Sequence, residues 1–100
     1  MQFIITAYDH EDEDAINRRL TNRKVHLAGI EKMAKQGTFL SGGAILNQDG
    51  KMIGSSAHVE FPARSDVEAW IKQDPYTTGR VWNNIEISEG LLFPVSKFST

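Results

Sequence analysis

The chain has 100 residues, of which 40% are hydrophobic and 24% are charged, as is typical of one small globular domain. Lys and Arg number 11 and Asp and Glu 13, so the net charge of −2 favours neither nucleic acid nor an anionic membrane surface as a partner. Cysteine is absent, which excludes a disulfide scaffold, a thiolate nucleophile and a thiolate metal site.

The first residues carry no basic leader, and no stretch approaches the roughly 20 apolar residues that a membrane-spanning helix needs. We therefore expect a cytoplasmic protein with no membrane partner. We also expect one domain over residues 1–100, with an extended tail from about residue 91.

A strand and a long helix are predicted first. Residues 3–8 are apolar and β-prone, which indicates a strand. Over residues 12–36 apolar side chains recur at helical spacing, and Gly37 is a suitable helix stop. The apolar positions of this helix are Ile16, Leu20, Leu27, Ile30 and Ala34.

A hairpin is predicted next. Residues 38–46 and 51–61 have the composition of strands, and the Asp-Gly within residues 47–50 favours the positive backbone angles of a tight turn. Glycines within these strands predict a bulge or the close approach of another group. They are Gly42, Gly43 and Gly54.

The last third predicts a helix, a strand and a tail. Ser65 and Glu68 fit a capping box that starts a helix ending near residue 73. Residues 81–88 alternate as a long strand does, and residues 91–98 are expected to form an extended tail or an edge strand.

The order strand, helix, strand, strand, helix, strand predicts an α+β, ferredoxin-like βαββαβ fold, with an antiparallel sheet and helices on one face. The other face of the sheet then needs a cover. A second copy of the chain is the obvious candidate, so we expect a homodimer.

The segment Asp74-Pro75-Tyr76 directly follows the second predicted helix. Proline lacks an amide hydrogen and pushes the preceding residue out of the helical region, so Asp74 is expected at the helix end with an extended backbone. The tripeptide alone favours a cap, in which the carboxylate accepts the amide hydrogens of Tyr76 and Thr77. A carboxylate held in this way is also a candidate for chemistry.

One stripe of the first helix combines cationic and apolar residues. It consists of Arg19, Arg23, His26, Ile30 and Met33. His26 lies at the edge of the buried face, where it is a candidate acid or base at neutral pH. Spacing alone favours a boundary histidine bonded to a backbone carbonyl over a catalytic one.

Other candidate residues give weaker signals. His10 and His58 have no short ligand spacing to His26, so we predict no metal site. Strand alternation places Ser55 on the helix-covered side, where a buried structural hydroxyl is favoured over an internal site. The rings of Trp70, Tyr76 and Trp82 are more typical of packing than of a substrate cage.

Several short motifs occur in a fixed order. They are Arg19-Leu20, Arg23-Lys24-Val25-His26-Leu27, Gly42-Gly43, Gly54-Ser55, Ala69-Trp70, Asp74-Pro75-Tyr76 and Gly79-Arg80-Val81. With them the chain resembles the YciI family of small proteins, also called YCII-related proteins, from residue 3 to about residue 94. The resemblance implies a ferredoxin-like dimer of the dimeric α+β barrel type. A few relatives are associated with dehydrochlorination of chlorinated hydroxyquinols.

The resemblance also implies a pocket with a catalytic histidine and aspartate, which match His26 and Asp74 here, and a pocket serine that matches Ser55. Gly43 belongs to the same pocket wall, although relatives often have Gly-Pro where this chain has Gly43-Ala44.

The resulting hypothesis is proton transfer on a small cyclic or phenolic substrate, by a lyase or isomerase that needs no cofactor. Asp74 would accept a hydrogen bond from one imidazole nitrogen of His26 with one oxygen and cap the following turn with the other. Tyr76 would line the substrate pocket, and Arg19 and Arg23 would attract an anionic or enolate group.

The alternative is a non-catalytic dimer that binds a small metabolite or serves as an accessory module. A nucleic-acid binder is disfavoured because the strands lack the basic and aromatic pattern that stacks bases.

Overall fold

The computed structural model describes residues 1–98. In chain order its elements are β1 (Gln2–Asp9), α1 (Ala15–Lys35), β2 (Phe39–Leu46), β3 (Met52–Glu60), α2 (Arg64–Gln73), the one-turn α3 (Pro75–Thr78) and β4 (Trp82–Gly90). The four strands form one antiparallel sheet in the order β2-β3-β1-β4. The predicted ferredoxin-like arrangement is confirmed.

The core lies between the sheet and the helices. Alternation along β1 turns Phe3, Ile5 and Ala7 toward the helices, where all three are buried. Phe3 is opposite Val59 and Ile5 is opposite Ala57 on β3, so one apolar layer runs across the middle of the sheet. Full burial of a side chain as large as Phe or Ile contributes about 1.5–3 kcal/mol.

The inward face of α1 differs from the one that its apolar residues predicted. Its buried residues are Ala15, Arg19 and His26, spaced by one and two helical turns. Leu20 and Leu27 are 54% and 43% exposed. The helix therefore directs two polar side chains into the protein, which is possible because both find polar partners there.

The start of α2 also corrects a prediction. The helix begins at Arg64, and the capping interaction lies two residues earlier than the predicted box: the backbone N–H of Ala63 donates to Asp66 Oδ2 at 3.1 Å. Ser65 is inside the first turn, and Glu68 contacts Arg64 at 3.3 Å instead of reaching back to a cap. The shorter carboxylate at the third helical position satisfies the free amide.

The predicted hairpin turn between β2 and β3 is confirmed. The side-chain oxygen of Asn47 accepts the backbone N–H groups of Asp49 and Lys51 at 2.9 and 3.0 Å. Gly50 has the positive φ of 79° that the turn requires.

Two of the strand glycines mark close approaches, as predicted. A Cβ atom on Gly42 would lie 2.5 Å from the carbonyl oxygen of Ser56, and one on Gly54 would lie 2.5 Å from that of Ala7. By contrast, a Cβ on Gly43 would have no neighbour within 4 Å among residues 1–98.

The chain leaves the sheet after Gly90 and forms a tail with a short 3-10 turn at Val95–Lys97, so the edge-strand alternative is wrong for the described part of the tail. The tail is tied to β1 where the N–H of Leu92 donates to Gln2 Oε1 at 2.8 Å. The last two residues of the predicted tail, Ser99 and Thr100, lie outside the described residues. Within residues 1–98 no helix is long and apolar enough to cross a membrane.

Candidate functional site

A histidine and an aspartate 48 residues apart meet beneath the helices. The Nδ1 atom of His26 lies 2.8 Å from Oδ1 of Asp74. His26 is on the inward face of α1, and Asp74 ends α2 with the extended backbone, φ −64° and ψ 138°, expected before Pro75. Their side chains are only 11% and 4% exposed, so the contact is shielded from water.

Asp74 is both a cap and a partner of the imidazole. Its Oδ1 atom accepts the backbone N–H of Tyr76 at 2.9 Å, as well as facing His26. The predicted capping of Tyr76 is thus observed. The prediction that one oxygen of Asp74 binds His26 and the other caps the turn is wrong, because Oδ1 makes both contacts. Thr77 donates instead to the backbone carbonyl of Asp74 at 2.8 Å.

The pair determines which nitrogen of His26 is free. An ionised carboxylate can only accept, so Nδ1 carries the hydrogen of the shared bond and Nε2 of the neutral ring keeps its lone pair. Among residues 1–98, Nε2 has no hydrogen-bond partner. His26, which lines a cavity between α1 and the sheet, therefore keeps a free proton acceptor.

Two aromatic rings fix the plane of the imidazole. The ring of Tyr76 stacks on His26 with centroids 3.8 Å apart and an interplanar angle of 11°. Trp82 meets the imidazole edge-on at 5.8 Å and 86°. Burial raises the pKa of Tyr76 above its ordinary value of 10.0, so its phenol stays neutral at physiological pH.

A buried ion pair also contacts the ring of Tyr76. Arg19 Nη1 donates to both oxygens of Asp9 at 2.8 and 2.9 Å, and its guanidinium carbon lies 4.7 Å from the Tyr76 ring centroid. Its Nη2 donates to the carbonyl of Gly54 at 2.9 Å and to Ser55 Oγ at 2.8 Å. Burial raises the pKa of Asp9 above 3.8, although Arg19 opposes that rise.

The sequence prediction did not include Asp9, and it assigned Trp82 to packing. Asp9 continues the alternation of Phe3, Ile5 and Ala7, and that register predicts an inward carboxylate at the end of β1. Trp82 is the register partner of Asp9 on β4, so it enters the same region.

A cavity of about 160 Å³ opens beside these groups, between α1 and the sheet. Six of the seven predicted site residues line it, namely Arg19, Arg23, His26, Gly43, Ser55 and Tyr76. Asp74 lies behind His26 and does not line the cavity. A cavity of about 150 Å³ is large enough for benzene, so this one suits a ligand with a single ring.

The two arginines of the cavity differ in their partners. Arg19 is 2% exposed and is neutralised by Asp9. Arg23 is exposed, and within residues 1–98 it forms no ion pair or hydrogen bond. The cation available to a ligand is therefore Arg23.

The other two histidines lie apart from the cavity. His58 Nδ1 is 3.0 Å from Ser41 Oγ on the uncovered sheet face, and His10 belongs to the loop after β1. No group of three His, Cys, Asp or Glu side chains within residues 1–98 is arranged to hold a metal ion.

Fold and site together define a small ferredoxin-like α+β protein with a carboxylate-paired histidine at a cavity between helix and sheet. The sequence profile of the YCII-related domain matches residues 1–90. The chain belongs to this family, as its motifs predicted.

Curated relatives support the assignment. Protein YciI of Escherichia coli O6:H1 and protein YciI of Shigella flexneri are each 27% identical to the chain over 93 residues, which covers 87% of this chain and 93% of theirs.

Solved structures share the fold. The 5-chloro-2-hydroxyhydroquinone dehydrochlorinase of Burkholderia phenoliruptrix AC1100, in complex with 2,5-dihydroxybenzoquinone, superposes with a TM-score of 0.81 at 23% identity, over 91% of this chain and 94% of that one. A dimeric ferredoxin-like protein of unknown function from Jannaschia sp. CCS1 gives a TM-score of 0.51 at 12% identity, over 91% and 98%.

Proposed function

We propose that the protein is a cofactor-free enzyme that transfers a proton on a small cyclic or phenolic substrate. The observation that carries the proposal is the 2.8 Å contact between His26 Nδ1 and Asp74 Oδ1, which leaves Nε2 free at a cavity of one-ring size. Asp74 orients the imidazole and stabilises its protonated form, and Nε2 accepts or returns the substrate proton.

The proposed substrate carries an anionic or acidic group. Arg23, which has no ion-pair partner within residues 1–98, supplies a positive charge at the cavity, and the neutral phenol of Tyr76 supplies a hydrogen-bond donor. The dehydrochlorinase of the same fold is known with a dihydroxylated quinone bound, which supports rings of this kind as the first compounds to test. A lyase or isomerase reaction fits such a site, because neither needs a redox group.

We also propose that the protein is a homodimer. The helices cover only one face of the sheet, and the other face exposes Ile4 and Tyr8 by 38% and 46%. The Jannaschia protein of the same fold is described as dimeric.

The test is a turnover screen of substituted hydroquinones, hydroxyquinones and lactones, with loss of substrate or solvent deuterium incorporation as the readout. His26→Ala is expected to lower the rate by roughly 10²- to 10⁴-fold, the usual contribution of a positioned acid or base. His10→Gln, a matched change outside the cavity, is expected to leave the rate unchanged. Activity that survives in His26→Ala would contradict the proposal, and ligand binding without any turnover would favour a binding module.

A further inference from the structure

The hydroxyl of Ser55 has both of its acceptor positions occupied. Arg19 Nη2 donates to Ser55 Oγ at 2.8 Å, and Trp82 Nε1 donates to the same oxygen at 3.0 Å. Guanidinium and indole N–H groups can only donate, so the oxygen must accept in both contacts. A hydroxyl has two lone pairs, and this one has none left.

The hydrogen of Ser55 has no acceptor among residues 1–98. In the described part of the chain, no carbonyl, carboxylate or ring nitrogen accepts a hydrogen bond from Ser55 Oγ. Ser55 lines the same cavity as His26. Because Arg19 and Trp82 occupy both lone pairs, the hydroxyl of Ser55 can bind a ligand only by donating its hydrogen.

We propose that Ser55 is the hydrogen-bond donor for a carbonyl oxygen of the substrate and for the enolate or phenolate oxygen that forms from it. The inference rests on the proton transfer proposed above and specifies the substrate class: a small cyclic carbonyl compound with an acidic C–H beside the carbonyl, or its phenolic tautomer.

The step is balanced without a cofactor. Nε2 of His26 takes the proton from the carbon next to the carbonyl, and the C–H electron pair becomes a C=C bond. The π pair of the carbonyl moves onto its oxygen, which accepts a hydrogen bond from Ser55 Oγ. Return of the proton at another position completes an isomerisation. In an elimination the oxygen's electron pair re-forms the carbonyl and the C=C pair shifts to the next carbon–carbon bond. The bond from that next carbon to an anionic leaving group breaks, the leaving group departs with the bonding pair, and His26 passes its proton to water.

The surroundings strengthen this donor. Arg19 places a positive charge 2.8 Å from Ser55 Oγ, and hydrogen bonds in a chain polarise one another. Asp9 holds that guanidinium in place through both of its oxygens. A fixed donor at a developing oxyanion is worth about 10²- to 10³-fold in rate.

The test uses 4-nitrophenol as a stable analogue of the oxyanion, because its neutral and ionised forms differ in absorbance. We expect the wild type to bind the phenolate, and Ser55→Ala to bind it about 10- to 100-fold more weakly, as for one hydrogen bond to a charged group. Ser55→Thr, which keeps the hydroxyl, is expected to retain most of the affinity. Binding of neutral 4-nitroanisole should be the same in wild type and Ser55→Ala.

Arg23→Gln separates charge from hydrogen bonding. Its effect on phenolate affinity is expected to shrink as salt rises, because Arg23 is exposed, whereas the effect of Ser55→Ala should persist. Equal phenolate affinity in wild type and Ser55→Ala, or no binding to the wild type at millimolar concentration, would overturn the inference. Neither phenolate affinity nor its salt dependence requires turnover. The proposed role of Ser55 can therefore be disproved without disproving the catalytic role of His26, and the reverse.

Ser55→Ala also removes the acceptor of two N–H groups and is expected to lower stability. If that variant does not fold, the indole N–H resonance of Trp82 in the wild type tests whether Ser55 donates to the phenolate. Donation to a phenolate makes Ser55 Oγ a stronger acceptor, so this resonance should move downfield when the phenolate binds. An unchanged Trp82 resonance at saturation would overturn the inference.

Discussion

Two buried carboxylates organise the site at the residue scale. Asp74 fixes the imidazole of His26, and Asp9 fixes the guanidinium of Arg19, which in turn contacts Tyr76 and Ser55. Each carboxylate has a partner that is itself buried or nearly so. Removal of either one therefore leaves a polar group without its partner in a place that water reaches poorly.

The Asp9–Arg19 pair gives the largest expected effect on stability. Asp9→Ala leaves the buried guanidinium of Arg19 without a counter-charge, and we expect a loss of about 3–5 kcal/mol in the free energy of unfolding by urea. The matched control is Asp12→Ala, which breaks the more exposed 2.7 Å contact with Arg18 and is expected to change stability little. Equal losses in the two variants would contradict this account of the buried pair.

Tyr76 predicts how stability responds to alkali. Burial raises its pKa above 10.0, so at high pH the folded protein retains a proton that the unfolded chain releases. Its contribution to stability is therefore present below about pH 10 and is lost as the pH rises further. Urea unfolding at pH 9 and pH 11 should show this loss, and Tyr76→Phe should show a smaller one. An equal loss in Tyr76→Phe would exclude this phenol as the cause.

Sequence reasoning predicted the residues of the His26–Asp74 pair but not its full surroundings. Periodicity placed His26 only at the edge of a buried face, and the family resemblance was needed to join it to Asp74 across 48 residues. The predicted first strand ends at residue 8, although the alternation of β1 continues through Asp9. The carboxylate of Asp9 can be buried because Arg19, on helix α1, binds it. A contact between two elements cannot be predicted from the local sequence pattern of either one.

At the scale of elements, hydrophobic periodicity predicted the existence of α1 but not its orientation. The apolar residues Leu20 and Leu27 are largely exposed, while Arg19 and His26 face inward. A polar side chain is stable on the inner face only if its partners lie on other elements, here β1 and the end of α2. The same limit applies to the start of α2, where Asp66 and not Glu68 satisfies the free amide.

Strand β2 gives a prediction about packing at the cavity wall. Gly42→Ala would place a methyl group 2.5 Å from the carbonyl oxygen of Ser56 and 2.7 Å from the ring of Phe39, so we expect a loss of about 1–3 kcal/mol. Gly43→Ala, one residue along, meets no atom of the described residues within 4 Å and is expected to be neutral in stability. Thermal unfolding of both variants measures the difference, and equal melting temperatures would contradict the observed packing.

At the scale of the whole molecule, the helices of the described chain, residues 1–98, cover one face of the sheet and leave the other open. The order of elements was sufficient to predict this, because both crossover helices of the β2-β3-β1-β4 sheet lie on the same face. The tail beyond β4 was predicted less well. Leu91 and Phe93 of this tail are 98% and 71% exposed. The alternating pattern that predicts strands does not predict the 3-10 turn of the tail.

The proposed dimer is tested on the open sheet face. Sedimentation velocity of the wild type at micromolar concentration should give twice the chain mass of 11.2 kDa. Ile4→Glu places a charge on the uncovered face and should give monomers, whereas Val25→Glu on the exposed side of α1 should not. A monomeric wild type, or a dimer that tolerates Ile4→Glu, would exclude this face as the interface.

The most direct test of the central claim is the tautomer of His26, read from the ¹H–¹⁵N correlations of its imidazole. We predict that the neutral ring carries its hydrogen on Nδ1, with a bare Nε2, and that Asp74→Ala abolishes this preference while the histidines outside the cavity stay unchanged. A neutral ring with its hydrogen on Nε2, or the same tautomer in Asp74→Ala, would show that Asp74 does not orient His26 for proton transfer.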